Sequence, residues 1–286
     1  MCVPGARFEC QRDVGQVERD SMALRVLITG ASSGIGAALA REYDKRGAQL
    51  AILARRKDRL EKLARELKDA RAIECDVTDD ASVQRAMREA LVAFGDLDVV
   101  IANAGIGLMG TVEELSIDDY RRQFETNVFG VLRTVKASMG SLKRTSGRIG
   151  LLGSVSGFLS LPGTSAYSMS KFAVRALAEA LGAELANDGV SVTHIAPGFV
   201  ESEIRKVDNA GKLHEERRDP IPPMLIMSNE RAAHEIATAV QGRRPEVVVT
   251  NHGKAAMFVA TRFPRTVHSV VRLASAQVMN RVKSSG

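Results

Sequence analysis

Leu24-Arg-Val-Leu-Ile-Thr-Gly-Ala-Ser-Ser-Gly-Ile-Gly36 is the stretch that decides how this chain folds. Leu24 to Thr29 is a short apolar, partly β-branched run that stops at Gly30. From Ile35 to Ala48, small and apolar residues return at helical spacing. The reading is strand, glycine turn, helix. Such a turn points free backbone N–H groups and the positive end of a helix dipole at one spot, which suits a pyrophosphate. A side chain at Gly34 or Gly36 would block the phosphates or hold the helix off the strand. Gly30, Ser32, Ser33, Gly34, Ile35 and Gly36 are therefore candidate ligand positions.

Outward from this unit, short apolar runs recur at Val26–Thr29, Leu50–Leu53, Val99–Ala102, Ile149–Leu152, Val190–Ile195 and Val247–Thr250, separated by helical patterns. Uninterrupted apolar runs of this length suit parallel strands covered by helices on both faces. The expected fold is α/β, a Rossmann-like doubly wound parallel sheet. With 286 residues, 45% of them hydrophobic, and no linker, one catalytic domain is expected over residues 23–250, followed by a helical extension.

The second strand, Leu50 to Ala54, runs into Arg55-Arg56, where a site selective for NAD would present an acid to the ribose 2′-hydroxyl. An arginine there suits a 2′-phosphate, held by charge-assisted hydrogen bonds. NADP(H) is therefore expected over NAD(H). Arg55 is the favoured phosphate ligand, and Arg56 is assigned either to the adenine face or to a solvated helix start.

Tyr167 and Lys171, in Tyr-Ser-Met-Ser-Lys, lie four residues apart, so on a helix they project one turn apart from one face. Bringing a phenol from a pKa of about 10 to near 7 takes roughly 4 kcal/mol. A unit charge at about 4 Å supplies roughly that at an effective dielectric near 20. The pair, with Ser154 upstream, points to acid–base chemistry.

Taken in order, these motifs resemble the short-chain dehydrogenase/reductase family, strongly from about Ala23 to Ser202. Thr29 to Gly36 is similar to its cofactor motif, and Asp76-Val77 to its adenine contact. Asn103-Ala104-Gly105 follows the fourth strand, and Pro197-Gly198 closes the sixth, with Val200 and Ser202 beyond at cofactor positions. The resemblance implies a tetrad of Asn127, Ser154, Tyr167 and Lys171. Tyr167 would be the general acid or base, and Lys171 would lower its pKa and bind the nicotinamide ribose. Ser154 would bond the substrate oxygen, and Asn127 would hold a water leading from Lys171 to solvent. It also implies a homodimer or homotetramer paired through the helices that carry Asn127 and Tyr167. Ala102, Gly153 and Ser202 depart from the family's usual asparagine, serine and threonine.

The implied activity is reduction of a carbonyl, or its reverse, on a small or lipophilic substrate. A competing reading from another class is a non-catalytic NADP(H)-binding regulator, against which the intact tetrad speaks. The segment Glu201 to Ile226 is expected to build the substrate pocket. At its end, Ile221 to Met227 is read either as the apolar inner surface of a lid or as a surface loop leading into a core helix.

Three cysteines without pairing or metal-ligand spacing suggest a reducing, cytoplasmic setting, and no metal site is expected. His194, within an apolar strand, reads as a core residue with satisfied nitrogens. Residues 1–22 read as a disordered extension or as following an upstream start, since Met22 directly precedes the first strand.

Past Val247 the chain has no acid and six basic residues, equal to the whole net charge of +6, so the remainder is neutral by formal count and nucleic-acid binding is not expected. Residues 251–286 are expected to be a basic amphipathic helical tail, with Val267, Val270, Val271, Ala274, Val278 and Val282 at helical spacing. Two fates stay open for it: packing on protein, which its valines favour, or peripheral contact with an anionic membrane.

Overall fold

In the computed structural model, which describes residues 23–273 apart from 217, 218, 220 and 268, seven parallel strands stand in the order β3-β2-β1-β4-β5-β6-β7. The strands are β1 Arg25–Thr29, β2 Gln49–Ala54, β3 Ala70–Glu74, β4 Val99–Ala102, β5 Arg148–Leu152, β6 Ser191–Ala196 and β7 Glu246–Val248. The helices are α1 Gly34–Lys45, α2 Lys57–Glu66, α3 Asp80–Phe94, α4 Ile117–Phe124, α5 Gly130–Thr145, α6 Ser165–Glu184, α7 Asn229–Gln241 and α8 Asn251–Arg262. This is the doubly wound sheet expected, with its strand order reversing between β1 and β4.

The alternation of strand side chains fills both faces. Val26, Ile28, Leu50, Ile52, Val99 and Ile101 pack on one side with Leu39, Leu60 and Ile236 of α1, α2 and α7. Leu27, Ala51, Leu53, Val100 and Ala102 pack on the other with Val83, Val131 and Val174 of α3, α5 and α6. Because every strand runs the same way, all their carboxyl ends open onto one edge, where ligands bind such sheets.

Two expectations are adjusted. β3, Ala-Arg-Ala-Ile-Glu, carries no apolar run because it is the edge strand and only Ile73 is buried. The last strand is shorter than expected, because Thr250 instead caps α8 by accepting from the Gly253 N–H. The expected N-terminal extension and the tail from Ala274 onward lie outside the described residues.

Candidate active site

Along the carboxyl edge of the sheet runs a cleft of about 540 Å³. It is lined by every catalytic and cofactor position named above except Asn127. At its nucleotide end, Gly34 has φ +53, a conformation that favours glycine, and a Cβ there would meet nothing within 4 Å. A Cβ on Gly36 would collide with the Gly30 carbonyl, so α1 can lie on β1 only with glycine at that point. Asn103 stitches the turn to β4: its Nδ2 donates to the Thr29 carbonyl at 2.8 Å, and its own N–H donates to Thr29 Oγ1 at 3.1 Å. Asp76 is set by Thr78, whose N–H and hydroxyl both donate to Asp76 Oδ1.

Whether a dinucleotide phosphate fits is answered by the donors. Ser33 is the N-cap residue of α1, yet among the described residues its hydroxyl makes no cap bond, unlike the caps of α3, α4, α7 and α8. The hydroxyl instead accepts from Arg56 Nη2 at 2.8 Å, while Arg56 Nε and Nη2 donate to Ser32 Oγ at 3.1 and 2.9 Å. A guanidinium, two hydroxyls and an uncapped helix N-terminus thus converge, a donor set matched to phosphate. Of the two arginines, both exposed and both lining the cleft, it is Arg56 that reaches the turn.

At the other end, Ser154 leaves β5 pinned to β6 on both sides, through Gly153 N–H to the Ile195 carbonyl at 2.7 Å and Val155 N–H to the Pro197 carbonyl at 3.0 Å. Its hydroxyl accepts from the Ser156 N–H at 3.1 Å. Tyr167 and Lys171 stand one turn apart on α6, with Lys171 Nζ 5.6 Å from the Tyr167 ring centroid.

Burial pushes Tyr167 up, opposed by its Ser154 hydrogen bond and the charge of Arg205. Lys171 is itself buried, which lowers its pKa to about 8, and its Nζ donates to the Leu152 carbonyl at 2.8 Å.

Asn127 is buried in a π turn, Glu125–Phe129, and its amide is committed. Oδ1 accepts from Ile106 N–H at 2.8 Å, and Nδ2 donates to the Ile106 carbonyl at 3.0 Å and Ser170 Oγ at 3.1 Å. The side chain therefore shapes the loop after β4. π turns of this kind recur at functional sites because they re-aim local groups.

The cover over the site comes from residues 203–211, joined to the facing loop by Asn209, whose side chain both donates to the Met109 carbonyl at 2.8 Å and accepts from its N–H at 3.1 Å. Ile106, Leu108, Ile204 and Val207 give it an apolar lining. The reading of Ile221 to Met227 as the inner lid surface fails: Met224 is 90% exposed, and none of these seven residues lines the cleft.

His194 is in the core, with Nδ1 3.2 Å from Glu246 Oε2. Contrary to expectation only one nitrogen is satisfied, since buried Nε2 finds no partner among the described residues. The same nitrogen occupies the place a Cβ at residue 153 would need, which accounts for Gly153. Sequence reasoning missed Glu203 as well, which bridges Arg56 and Arg59. Nothing local marks it, since its partners lie some 147 and 144 residues away.

A doubly wound sheet with a phosphate-adapted turn at one end of a cleft and a serine, tyrosine and lysine at the other defines an oxidoreductase that uses a nicotinamide cofactor. The comparisons make this specific: the family profile described as short chain dehydrogenase matches residues 25–213, and the chain belongs to that family. Dehydrogenase/reductase SDR family member 7B of Bos taurus is 36% identical over 190 residues, covering 63% of this chain but only 58% of that protein's length. An alcohol dehydrogenase from the archaeon Thermococcus sibiricus, solved with 5-hydroxy-NADP, superposes with a TM-score of 0.70 at 32% identity, covering 80% of this chain and 97% of that one. A 3-ketoacyl-(acyl-carrier-protein) reductase from Brucella melitensis, solved with NADH, gives 0.71 at 27%, covering 79% and 96%.

Proposed function

We propose that this protein is an NADP(H)-dependent reductase that converts a carbonyl on a small, lipophilic substrate to an alcohol, or runs the reverse. The observation that carries this reading is the placement of Arg56 on Ser32 and Ser33 in the same cleft that presents Ser154, Tyr167 and Lys171. Arg56, Ser32, Ser33 and the first turn of α1 would hold the phosphates, with Asp76 and Val77 at the adenine and Asn103 to Gly105, Pro197, Gly198, Val200 and Ser202 along the rest of the cleft. When bound, the cofactor supplies the hydride. Tyr167, protonated through neutral pH because burial raises its pKa, donates to the substrate oxygen, and Ser154 bonds that oxygen as charge develops on it. Ile106, Leu108, Ile204 and Val207 favour an apolar group beside the carbonyl and keep water away. NADPH and NADH oxidation measured against hydrophobic ketones, aldehydes and 3-oxoacyl thioesters tests the reading.

The setting is also proposed. Exposed Phe129, Met169 and Phe172, on the π turn and one turn apart on α6, support a homo-oligomer. Lys254, Phe258 and Arg262 fall in one i, i+4, i+8 row on α8, with Phe258 60% exposed and Phe263 and Leu273 exposed beyond it. Apolar side chains among positive charges, with no acid past Val247, suit an anionic membrane surface, whereas a second copy of this face would bring like charges together. His252, in the first turn of α8, accepts from the Phe199 N–H at 3.0 Å, so this surface adjoins the mouth of the cleft. Cys75, a buried free thiol, accords with a reducing, cytoplasmic location at such a surface.

A further inference from the structure

Glu203 is the first residue of the short 3-10 turn Glu203–Arg205 that starts the cover, directly after Ser202. Its carboxylate reaches across the cleft: Oε1 accepts from Arg59 Nη1 at 2.8 Å and Oε2 from Arg56 Nη1 at 3.2 Å. The remaining Arg56 donors that point into the cleft, Nε and Nη2, sit on Ser32 and Ser33. β2 ends without an acid, yet the cover brings one to the guanidinium from the other side of the cleft.

We propose that Glu203 is a specificity-determining residue that competes with the cofactor's 2′-phosphate for Arg56, and so ties the cover to the adenosine end of the cleft and restrains the preference for NADP(H). The inference rests on the reading of Arg56 as a 2′-phosphate ligand. A dianionic phosphate and a carboxylate cannot share one guanidinium without repulsion, so a phosphate that takes Arg56 turns Glu203 away toward Arg59. Both partners of the Arg56–Glu203 pair are partly exposed, with 42% and 36% of their side-chain surface accessible, and a pair so solvated exchanges readily. A cofactor without the 2′-phosphate leaves the pair in place. Glu203 thus discriminates against the phosphate by competition, whereas the acid that selects NAD in related folds does so by bonding the ribose hydroxyls.

The test is equilibrium binding of 2′,5′-ADP and 5′-AMP by calorimetry, and of NADPH and NADH by nucleotide fluorescence, to the full-length wild type and to Glu203→Gln. Gln keeps the size and removes the charge. A thermal melt within about 2 °C of wild type shows the fold intact. The expected result is 2′,5′-ADP and NADPH bound about threefold to tenfold more tightly by the variant, with 5′-AMP and NADH within about twofold. Wild type favouring 2′,5′-ADP over 5′-AMP by a ratio that Glu203→Gln leaves unchanged or lowers would overturn the role of Glu203 alone. Wild type and variant both binding 5′-AMP as tightly as 2′,5′-ADP would overturn the phosphate reading and this inference with it.

Discussion

Lys171 Nζ donates to the carbonyl of Leu152 at 2.8 Å, which holds the ammonium beside the Tyr167 ring and ties the acid–base helix to the end of β5. Burial lowers its pKa to about 8, against a usual value near 10.4 in an unfolded chain. Between these values the unfolded state binds more protons, so stability rises with pH in that window, and below about pH 8 the buried charge is a standing cost of about 3 kcal/mol. Lys171→Met should therefore melt higher than wild type at pH 7, with the gap narrowing from pH 8 to 10, while losing turnover. Paired thermal melts across that range check it, and a variant less stable than wild type at pH 7 would refute the cost.

Gly153 and His194 exclude each other's alternatives. A Cβ at residue 153 would overlap His194 Nε2, so Gly153→Ser should destabilise by roughly 1–3 kcal/mol through overpacking. Pairing it with His194→Val, which removes the ring, should recover much of that loss. Urea unfolding of the two single variants and the double variant measures the coupling, and additive losses would show that the two residues do not share the space.

At the nucleotide end the two arginines make opposite claims. Arg56 is bonded to Ser32 and Ser33 and Arg55 is not placed there, so Arg56→Gln should raise the Kd for NADPH about tenfold or more with little change for NADH. Arg55→Gln should have the smaller effect. Nucleotide fluorescence titrations separate them, and a larger loss in the Arg55 variant would restore the order read from the sequence.

The fold was largely legible, because six strands lie inside the sheet or carry enough apolar side chains to register, whereas edge strand β3 buries only Ile73 and shows no run. The glycine turn and the Tyr167–Lys171 pair were legible because each is a local motif whose spacing fixes its geometry. What stayed hidden is long-range. Glu203 meets Arg56 only through the folded cover, and Ile221 to Met227 turned outward although its composition suited an inner surface. Sequence spacing places the lysine charge beside Tyr167 but not the burial that pushes the phenol up.

The row Lys254, Phe258, Arg262 makes the membrane proposal testable by charge reversal. Wild type should co-sediment with vesicles containing anionic lipid and not with purely zwitterionic ones. Lys254→Glu with Arg262→Glu should abolish the association, since each basic residue near such a surface contributes about 1 kcal/mol. Equal sedimentation of the charge-reversed protein would reject this surface.

The reductase reading stands or falls with Tyr167. Steady-state NADPH oxidation with a hydrophobic ketone, measured alongside NADPH binding, should show wild-type turnover and a Tyr167→Phe variant that binds the cofactor as well but turns over about a hundredfold slower or less. A phenylalanine variant that keeps wild-type turnover would contradict the assignment of the acid, and with it the mechanism proposed for this cleft.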